Sequence, residues 1–144
     1  MLLGIKRIYD RVSITDGMRI LVDGLWPRGV KKSTANIDTW YKQVAPSKTL
    51  RKWFAHDPSK WVRFQQRYRK ELERSGAVVS LVEKIKNNDV TLVYSSKDEK
   101  HNNAIVLAAL IEDRLREDAN LEKKKKHKMA EKHKKAAAYR EGRL

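Results

Sequence analysis

Residues 18–29 read MRILVDGLWPRG, an apolar run that leads into a short segment of chemically special residues. Ile20, Leu21 and Val22 form a stretch that is typical of a buried β-strand. An acid, a tryptophan, a proline, an arginine and two glycines follow within the next seven residues. Because α/β folds place ligands in the loops that follow strands, we expect a candidate site in this segment.

The rest of the chain predicts two further strands and several helices. Apolar runs indicate strands at residues 2–9 and 90–94, in addition to the one at 18–23. Helical spacing and capping residues predict helices at residues 37–44, 48–54, 58–75, 78–86 and 104–115. Because helices separate the second strand from the third, we expect these two strands to be parallel and central. The first two strands are only about eight residues apart, which is too short for a parallel crossover, so they are antiparallel or not adjacent.

These patterns predict an α/β fold: a small three-layer domain with a few-stranded, mostly parallel sheet and flanking helices. We place this domain at residues 1–116 and a basic C-terminal extension at residues 117–144, which is either helical or disordered. The extension holds eight lysines and two arginines against five acids. Its net charge is therefore +5 of the chain's total of +15, so the domain is basic as well.

The amino-acid composition of the chain limits the classes of function that we expect for it. A charge of +15 in 144 residues favours an anionic partner, first of all nucleic acid. With no cysteine, the chain has no disulfide, no thiolate metal site and no cysteine nucleophile. Residues 1–10 have no apolar run long enough for a signal peptide, so we expect none, and the sequence shows no apolar run of roughly 20 residues and no P-loop motif. We expect a cytoplasmic protein without a membrane partner, cofactor or metal site, and the oligomeric state stays open.

Charged residues that follow the second and third strands form the predicted site. If these strands are parallel, Asp23, Arg28, Lys97 and Asp98 meet at one edge of the sheet, beside a helix that starts near His56. The candidate catalytic residues are Asp23, His56 and Asp98. Ligand-binding candidates are Arg28, Trp26, Lys97 and Asp57.

Each of these residues also has a structural interpretation. Asp23 and Arg28 can form an ion pair that fixes the loop, and Trp26 can belong to the core or to a pocket wall. Asp57 before Pro58 is the expected N-cap of the following helix, and Asp98 can cap the last helix.

Lysines dominate the extension and are the predicted contacts to nucleic acid: Lys123, Lys124, Lys125, Lys126, Lys128, Lys132, Lys134 and Lys135. Such side chains bind phosphates without sequence preference. A run of charge is also typical of a solvated helix face, and Tyr139 is the only aromatic residue of the extension that is available for base stacking.

Several motifs in order give the chain a family resemblance. They are KRIYD at 6–10, DG at 16–17, LVD-x-LWPRG at 21–29, ID-x-W at 37–40, APS at 45–47, LRKWF-x-HDP at 50–58 and VTL-x-Y-x-x-KD at 90–98. In this pattern the chain resembles the DUF488 (YeaO-like) family over roughly residues 3–115. The resemblance implies a small α/β domain, without a settled biochemical activity.

The chain departs from that family pattern at two positions. The family usually has arginine where this chain has Gly24, and glycine where it has Ala55. If that arginine binds an anion, this chain has weakened or relocated the contact. The lysine-rich extension is expected to lie outside the family pattern.

Two hypotheses follow from the sequence. The first is a basic protein that binds nucleic acid or another polyanion non-specifically. The alternative is an enzyme, a hydrolase or transferase, that acts on an anionic and possibly phosphate-bearing substrate at the edge formed by Asp23, Arg28 and Lys97.

Overall fold

The computed structural model describes residues 2–142, so the last two residues of the predicted extension lie outside the described chain. The elements are β1 (Leu3–Arg7), β2 (Met18–Leu21), β3 (Thr39–Trp40), α1 (Lys48–Phe54), α2 (Trp61–Ser75), α3 (Ala77–Lys86), β4 (Val90–Tyr94) and α4 (Asn103–Arg140). Contacts divide the chain into two units, one up to Ile111 and one from Glu112 onward. The domain boundary after residue 116 stays a prediction.

Four parallel strands form one sheet in the order β1-β4-β2-β3. All five residues of β4 are buried, as expected for a central strand that is covered on both faces. This arrangement confirms the predicted α/β class, with a small parallel sheet and flanking helices. The predicted parallel pairing of β2 with β4 is confirmed, and β1 and β2 are not adjacent because β4 lies between them.

The helices bury apolar faces with the expected periodicity. In α2, Phe64, Tyr68 and Leu72 recur every four residues and are buried. The Tyr68 hydroxyl lies in the core and donates a hydrogen bond to the Val44 carbonyl. The predicted helix at residues 78–86 is confirmed as α3, and its buried residues are Val78, Leu81, Val82 and Ile85.

The predicted helix at residues 37–44 is wrong. The structure has the two-residue strand β3 there, followed by a 3-10 turn at Lys42–Val44. The Asp38 amide donates to the Arg19 carbonyl, and the Tyr41 amide donates to the Leu21 carbonyl. Pairing with β2 therefore supplies these backbone groups with hydrogen bonds and replaces the local helix.

The last helix is longer than predicted, because α4 runs to Arg140 rather than ending near residue 115. Strong helix formers fill this part of the chain, and no proline interrupts it. Of the two states predicted for the C-terminal extension, the structure shows the helical one. Among residues 2–142, no helix combines the length and the apolar character that a membrane span requires.

A buried ionic cluster precedes and includes β2. Asp16 and Arg19 are 4% and 3% exposed, and Asp16 accepts from Arg19 Nη1 at 2.7 Å and from Lys6 Nζ at 2.7 Å. The Ser13 amide also donates to this carboxylate. Burial raises the pKa of Asp16, but these hydrogen bonds outweigh it, so the pKa lies below its usual value. The cluster ties β1 to the segment that leads into β2.

Candidate functional site

The carboxyl ends of β2 and β4 meet at one edge of the sheet, and Asp23 joins them. Its Oδ2 accepts hydrogen bonds from the Ser95 amide at 2.9 Å and from Ser95 Oγ at 2.7 Å. Its Oδ1 accepts from Asn103 Nδ2 at 3.0 Å, and the same amide group donates to the Val22 carbonyl at 3.1 Å. The Asp23 carboxylate thus holds the loops after β2 and β4 against the start of α4.

A cavity of about 630 Å³ opens beside this edge. This strand-edge pocket is lined chiefly by residues 23–28 after β2, residues 54–56 at the end of α1 and residues 101–103 at the start of α4. Its volume falls within the roughly 300–1,000 Å³ that is typical of small-molecule sites.

Only some of the predicted site residues line the strand-edge pocket. Asp23, Trp26, Arg28 and His56 do so. Asp57, Lys97 and Asp98 lie outside its lining. The catalytic and ligand-binding roles of all seven residues stay predictions.

Two arginines supply positive charge at the pocket. Arg28 lies on the exposed loop after β2, and Arg51 comes from α1 and is half-buried. Within residues 2–142, neither guanidinium has a hydrogen bond or an ion pair. A Cβ atom added to Gly24 would lie 3.8 Å from Arg51 Nη1. An arginine side chain therefore reaches the surroundings of Gly24, although it comes from α1 and not from position 24.

His56 enters the pocket from a strained turn. It follows α1 with φ at 57°, and the preceding Ala55 has φ at 47°. Non-glycine residues adopt this left-handed region at a cost of about 1–2 kcal/mol each. The Ala55 amide still donates to the Arg51 carbonyl, so the turn closes α1 in the manner of a glycine cap. His56 is exposed, and its ring has no hydrogen-bond partner within residues 2–142.

His101 was missed as a pocket residue. Its Nδ1 lies 2.9 Å from Asp98 Oδ2, and its ring contacts Trp61 edge-on at 5.2 Å. The hydrogen bond with His101, together with those from the Lys100 and His101 amides, lowers the pKa of Asp98. Asp98 itself does not line the pocket, but it contacts His101, which does. The spacing Asp98-x-x-His101 was the signal in the sequence.

Aromatic rings form much of the pocket wall. Trp26 Nε1 donates to the Val30 carbonyl at 2.6 Å, and the Trp26 ring packs edge-on against Trp40 at 5.3 Å. Phe54 and Phe64 stack at 4.3 Å and are buried. Trp26 is partly exposed, the Lys32 ammonium lies over its ring at 5.4 Å, and these contacts fix the orientation of the ring.

Asp57 is a capping residue. It accepts hydrogen bonds from the Ser59 amide at 3.0 Å and from Ser59 Oγ at 2.7 Å, before the 3-10 turn at Pro58–Lys60. The hydrogen bonds from Ser59 lower the pKa of this carboxyl group. The predicted capping role of Asp57 is confirmed.

A second candidate surface lies in the C-terminal part of α4. We call residues 123–135 the lysine segment, and every residue in it is exposed. Of its eight lysines, only Lys125 has an acidic partner within residues 2–142, with Glu122 at 3.8 Å. His127 pairs with Glu131 at 3.1 Å. At 3.6 residues per turn, these lysines are distributed around the whole helix.

No three histidine, aspartate or glutamate side chains in the described part of the chain are grouped as metal ligands. Apart from Asp23, the polar side chains that line the strand-edge pocket are arginines, histidines, serines and asparagines, so the lining has no carboxylate cluster. This donor set is suited to an anion.

Comparison of the sequence with known proteins places this chain in a family. A 110-residue alignment with an uncharacterised protein of Mycobacterium tuberculosis is 37% identical and covers 76% of this chain and 93% of that protein. The uncharacterised protein YeaO of Escherichia coli is 42% identical over 106 residues, which is 72% of this chain and 90% of YeaO. No solved structure matches significantly.

A family model described as the inactive DUF488-N3 subclade matches residues 2–131. The match reaches into the lysine segment, so the expectation that the whole extension lies outside the family pattern is wrong. The match over residues 2–131 confirms the family resemblance that the sequence motifs indicated. The chain belongs to the DUF488 family, within the subclade described as inactive.

Proposed function

We propose that this protein binds nucleic acid or another polyanion, without sequence preference, through the lysine segment. The observation that carries the proposal is the exposure of eight lysines, seven of which have no acidic partner within residues 2–142. Unpaired lysines are available to neutralise phosphates and release their counterions, and this release is the main source of non-specific affinity. A cytoplasmic setting, where nucleic acid is abundant, belongs to the same proposal.

The spacing of these lysines gives the proposal a second support. Lys124, Lys128 and Lys132 follow one another at intervals of four residues, or about 6 Å along the helix axis. Like charges at this spacing destabilise a helix by roughly 0.2–0.5 kcal/mol per pair. A bound polyanion removes this repulsion, so binding and helix formation support each other.

Affinity for a fluorescein-labelled DNA duplex and a labelled single strand, measured by anisotropy at one low salt concentration, tests the proposal. The test variant replaces the eight lysines of the segment with glutamine, which preserves helix propensity and removes the charge. The matched control replaces the same eight lysines with arginine.

We expect the glutamine variant to bind at least about tenfold more weakly and the arginine variant to bind as tightly as the wild type. Random DNA sequences should bind equally well. Unchanged affinity in the glutamine variant would refute the proposal.

One observation favours a second function, the binding of a small anion in the strand-edge pocket. Arg28 and Arg51 both line the pocket, and neither has an acidic partner within residues 2–142. Guanidinium groups bind phosphate and carboxylate with two parallel hydrogen bonds. Titration calorimetry with inorganic pyrophosphate tests this function: we expect one saturable site that Arg51→Gln weakens, and the absence of saturable binding would contradict it.

Turnover of such an anion, by hydrolysis or group transfer, is less well supported than binding. Asp23 is already engaged by three hydrogen-bond donors, and Lys97 lies outside the pocket lining. At the strand-edge pocket, the Asp98–His101 pair resembles an acid–base unit. The description of the subclade as inactive also favours a binding pocket over a catalytic one.

A further inference from the structure

The strand-edge pocket combines two kinds of surface, a cationic part and an aromatic part. Arg28 and Arg51 form the cationic part. Asp23, the carboxylate in the lining, directs both of its oxygens to donors from Ser95 and Asn103. The two guanidinium groups are therefore not engaged by this carboxylate and are available to an anionic group of a ligand.

The aromatic part has rings whose orientation the fold already fixes. Trp26 is held by its hydrogen bond to the Val30 carbonyl, and His101 by its contact with Asp98. Both rings are partly exposed, whereas Phe54 in the same lining is buried. Immobilised rings offer a planar ligand a stacking surface at little entropic cost.

Polar atoms of the same pocket lining provide hydrogen-bonding capacity. His101 Nδ1 is engaged by Asp98, while Nε2 has no partner within residues 2–142. Ser96 Oγ lies in the same lining and accepts a hydrogen bond from the Asp98 amide, which leaves its hydroxyl proton available. A heteroaromatic ring with polar edges fits such a wall better than a purely apolar ring does.

We propose that the strand-edge pocket binds a mononucleotide, with its phosphate at Arg28 and Arg51 and its base against Trp26 and His101. This inference rests on the proposed binding of a small anion in the same pocket and names the class of ligand. The volume of about 630 Å³ accommodates one nucleotide rather than a duplex. The nucleotide is either a free monophosphate or the phosphorylated end of a strand, since both present the same phosphate and base.

Titration calorimetry on the full-length protein at about 150 mM salt, where exposed charges are screened, tests the proposal. The probes are the four ribonucleoside monophosphates, ribose 5-phosphate, inorganic pyrophosphate and an uncharged nucleoside. The test variants are Arg51→Gln and Arg28→Gln, and circular dichroism confirms that each is folded. Lys52→Gln is the matched control, because Lys52 is an exposed cation on α1 that does not line the pocket.

We expect at least one monophosphate to bind about tenfold more tightly than ribose 5-phosphate, and Arg51→Gln to weaken it at least about tenfold while Lys52→Gln leaves it unchanged. If pyrophosphate binds but no monophosphate binds more tightly than ribose 5-phosphate does, the nucleotide inference is overturned and the binding of a small anion stands. If neither the monophosphates nor pyrophosphate bind, the nucleotide inference and the proposed binding of a small anion are both overturned. An equal loss in Lys52→Gln would show general charge attraction and would also overturn the inference.

Displacement of a bound fluorescent monophosphate separates the two sources of the ligand. Short oligonucleotides with a 5′-phosphate are compared with the same oligonucleotides without it. Displacement by the phosphorylated oligonucleotide alone supports the proposal and identifies a strand end. Displacement by free monophosphates but by neither oligonucleotide supports the proposal and identifies a free nucleotide.

Discussion

Replacing Asp23 with asparagine separates a structural role of this residue from a catalytic one. The Asp23 carboxylate accepts three hydrogen bonds, two from Ser95 on one oxygen and one from Asn103 on the other. Asparagine has nearly the same shape but keeps only one acceptor oxygen. If that oxygen faces Ser95, the new NH₂ group meets the NH₂ group of Asn103.

Asn103 cannot resolve this conflict by rotating its amide. The same NH₂ group donates to the Val22 carbonyl, so a flipped Asn103 would place its oxygen against that carbonyl. At least one polar group therefore loses its partner. A hydrogen bond to a charged group contributes about 1.5–3 kcal/mol, and because Asp23 is half-buried we expect a destabilisation near the lower end, about 2 kcal/mol.

The free energy of unfolding from urea titration, supported by thermal melts, measures this effect. For a chain of this size, about 2 kcal/mol lowers Tm by roughly 6–8 °C. Asp10→Asn is the matched control: Asp10 is exposed, and its carboxylate accepts from the Arg7 amide, a hydrogen bond that asparagine can still accept. We expect the control to change stability by less than about 0.5 kcal/mol.

A double-mutant cycle identifies the contact responsible. Ser95→Ala removes the Oγ donor, so its effect and that of Asp23→Asn should be less than additive. An Asp23→Asn protein within about 0.5 kcal/mol of the wild type, or effects that are fully additive, would refute the structural role of Asp23.

Three further predictions concern stability. Ala55→Gly should raise it by about 0.5 kcal/mol in thermal melts, because relief of the left-handed strain at φ 47° outweighs the entropy that glycine adds to the unfolded chain; a destabilised variant would contradict this. Tyr68→Phe should cost about 1–3 kcal/mol in urea titration because the buried Val44 carbonyl loses its donor, whereas an unchanged midpoint would show that this hydrogen bond contributes nothing. The pKa of Asp16 in the folded state lies below its ordinary value of 3.8. The contribution of the Asp16 carboxylate to folding stability is therefore fully present above pH 3.8 and is lost as the pH falls through the folded-state pKa. Asp16→Asn should therefore flatten the acid side of the pH–stability curve, and an equally steep curve would contradict the assignment.

Much of the fold was predictable where the pattern is local and long enough. The prediction of β4 matched its observed bounds at Val90–Tyr94, because a continuous β-branched and apolar run is typical of a buried strand. The prediction of α1 also matched, because Ser47 caps it and its buried residues have helical spacing. By contrast, β3 has only two residues, and its identity depends on backbone pairing with β2. No local pattern encodes such a contact.

The candidate site was also predictable only where it depends on local sequence patterns and not where it depends on tertiary packing. The sequence predicted that the ends of β2 and β4 share an edge, and the hydrogen bonds between Asp23 and Ser95 show that they do. Arg51 was missed because it comes from α1, and only tertiary packing brings it to Gly24. Lys97 was expected in the site because it follows β4, but proximity in sequence did not bring it into the pocket lining.

The salt dependence of nucleic-acid binding tests the proposed function most directly. The measurement is the slope of log Kobs against log salt concentration for duplex DNA, for the wild type and for the variant with eight lysines of the segment replaced by glutamine. Each phosphate neutralised by the protein contributes about 0.9 to this slope. If four of the lysines meet phosphates, the slope of the variant should be shallower by roughly 3–4. Equal slopes for the two proteins would show that the lysine segment is only a solvated helix and would contradict the proposed function.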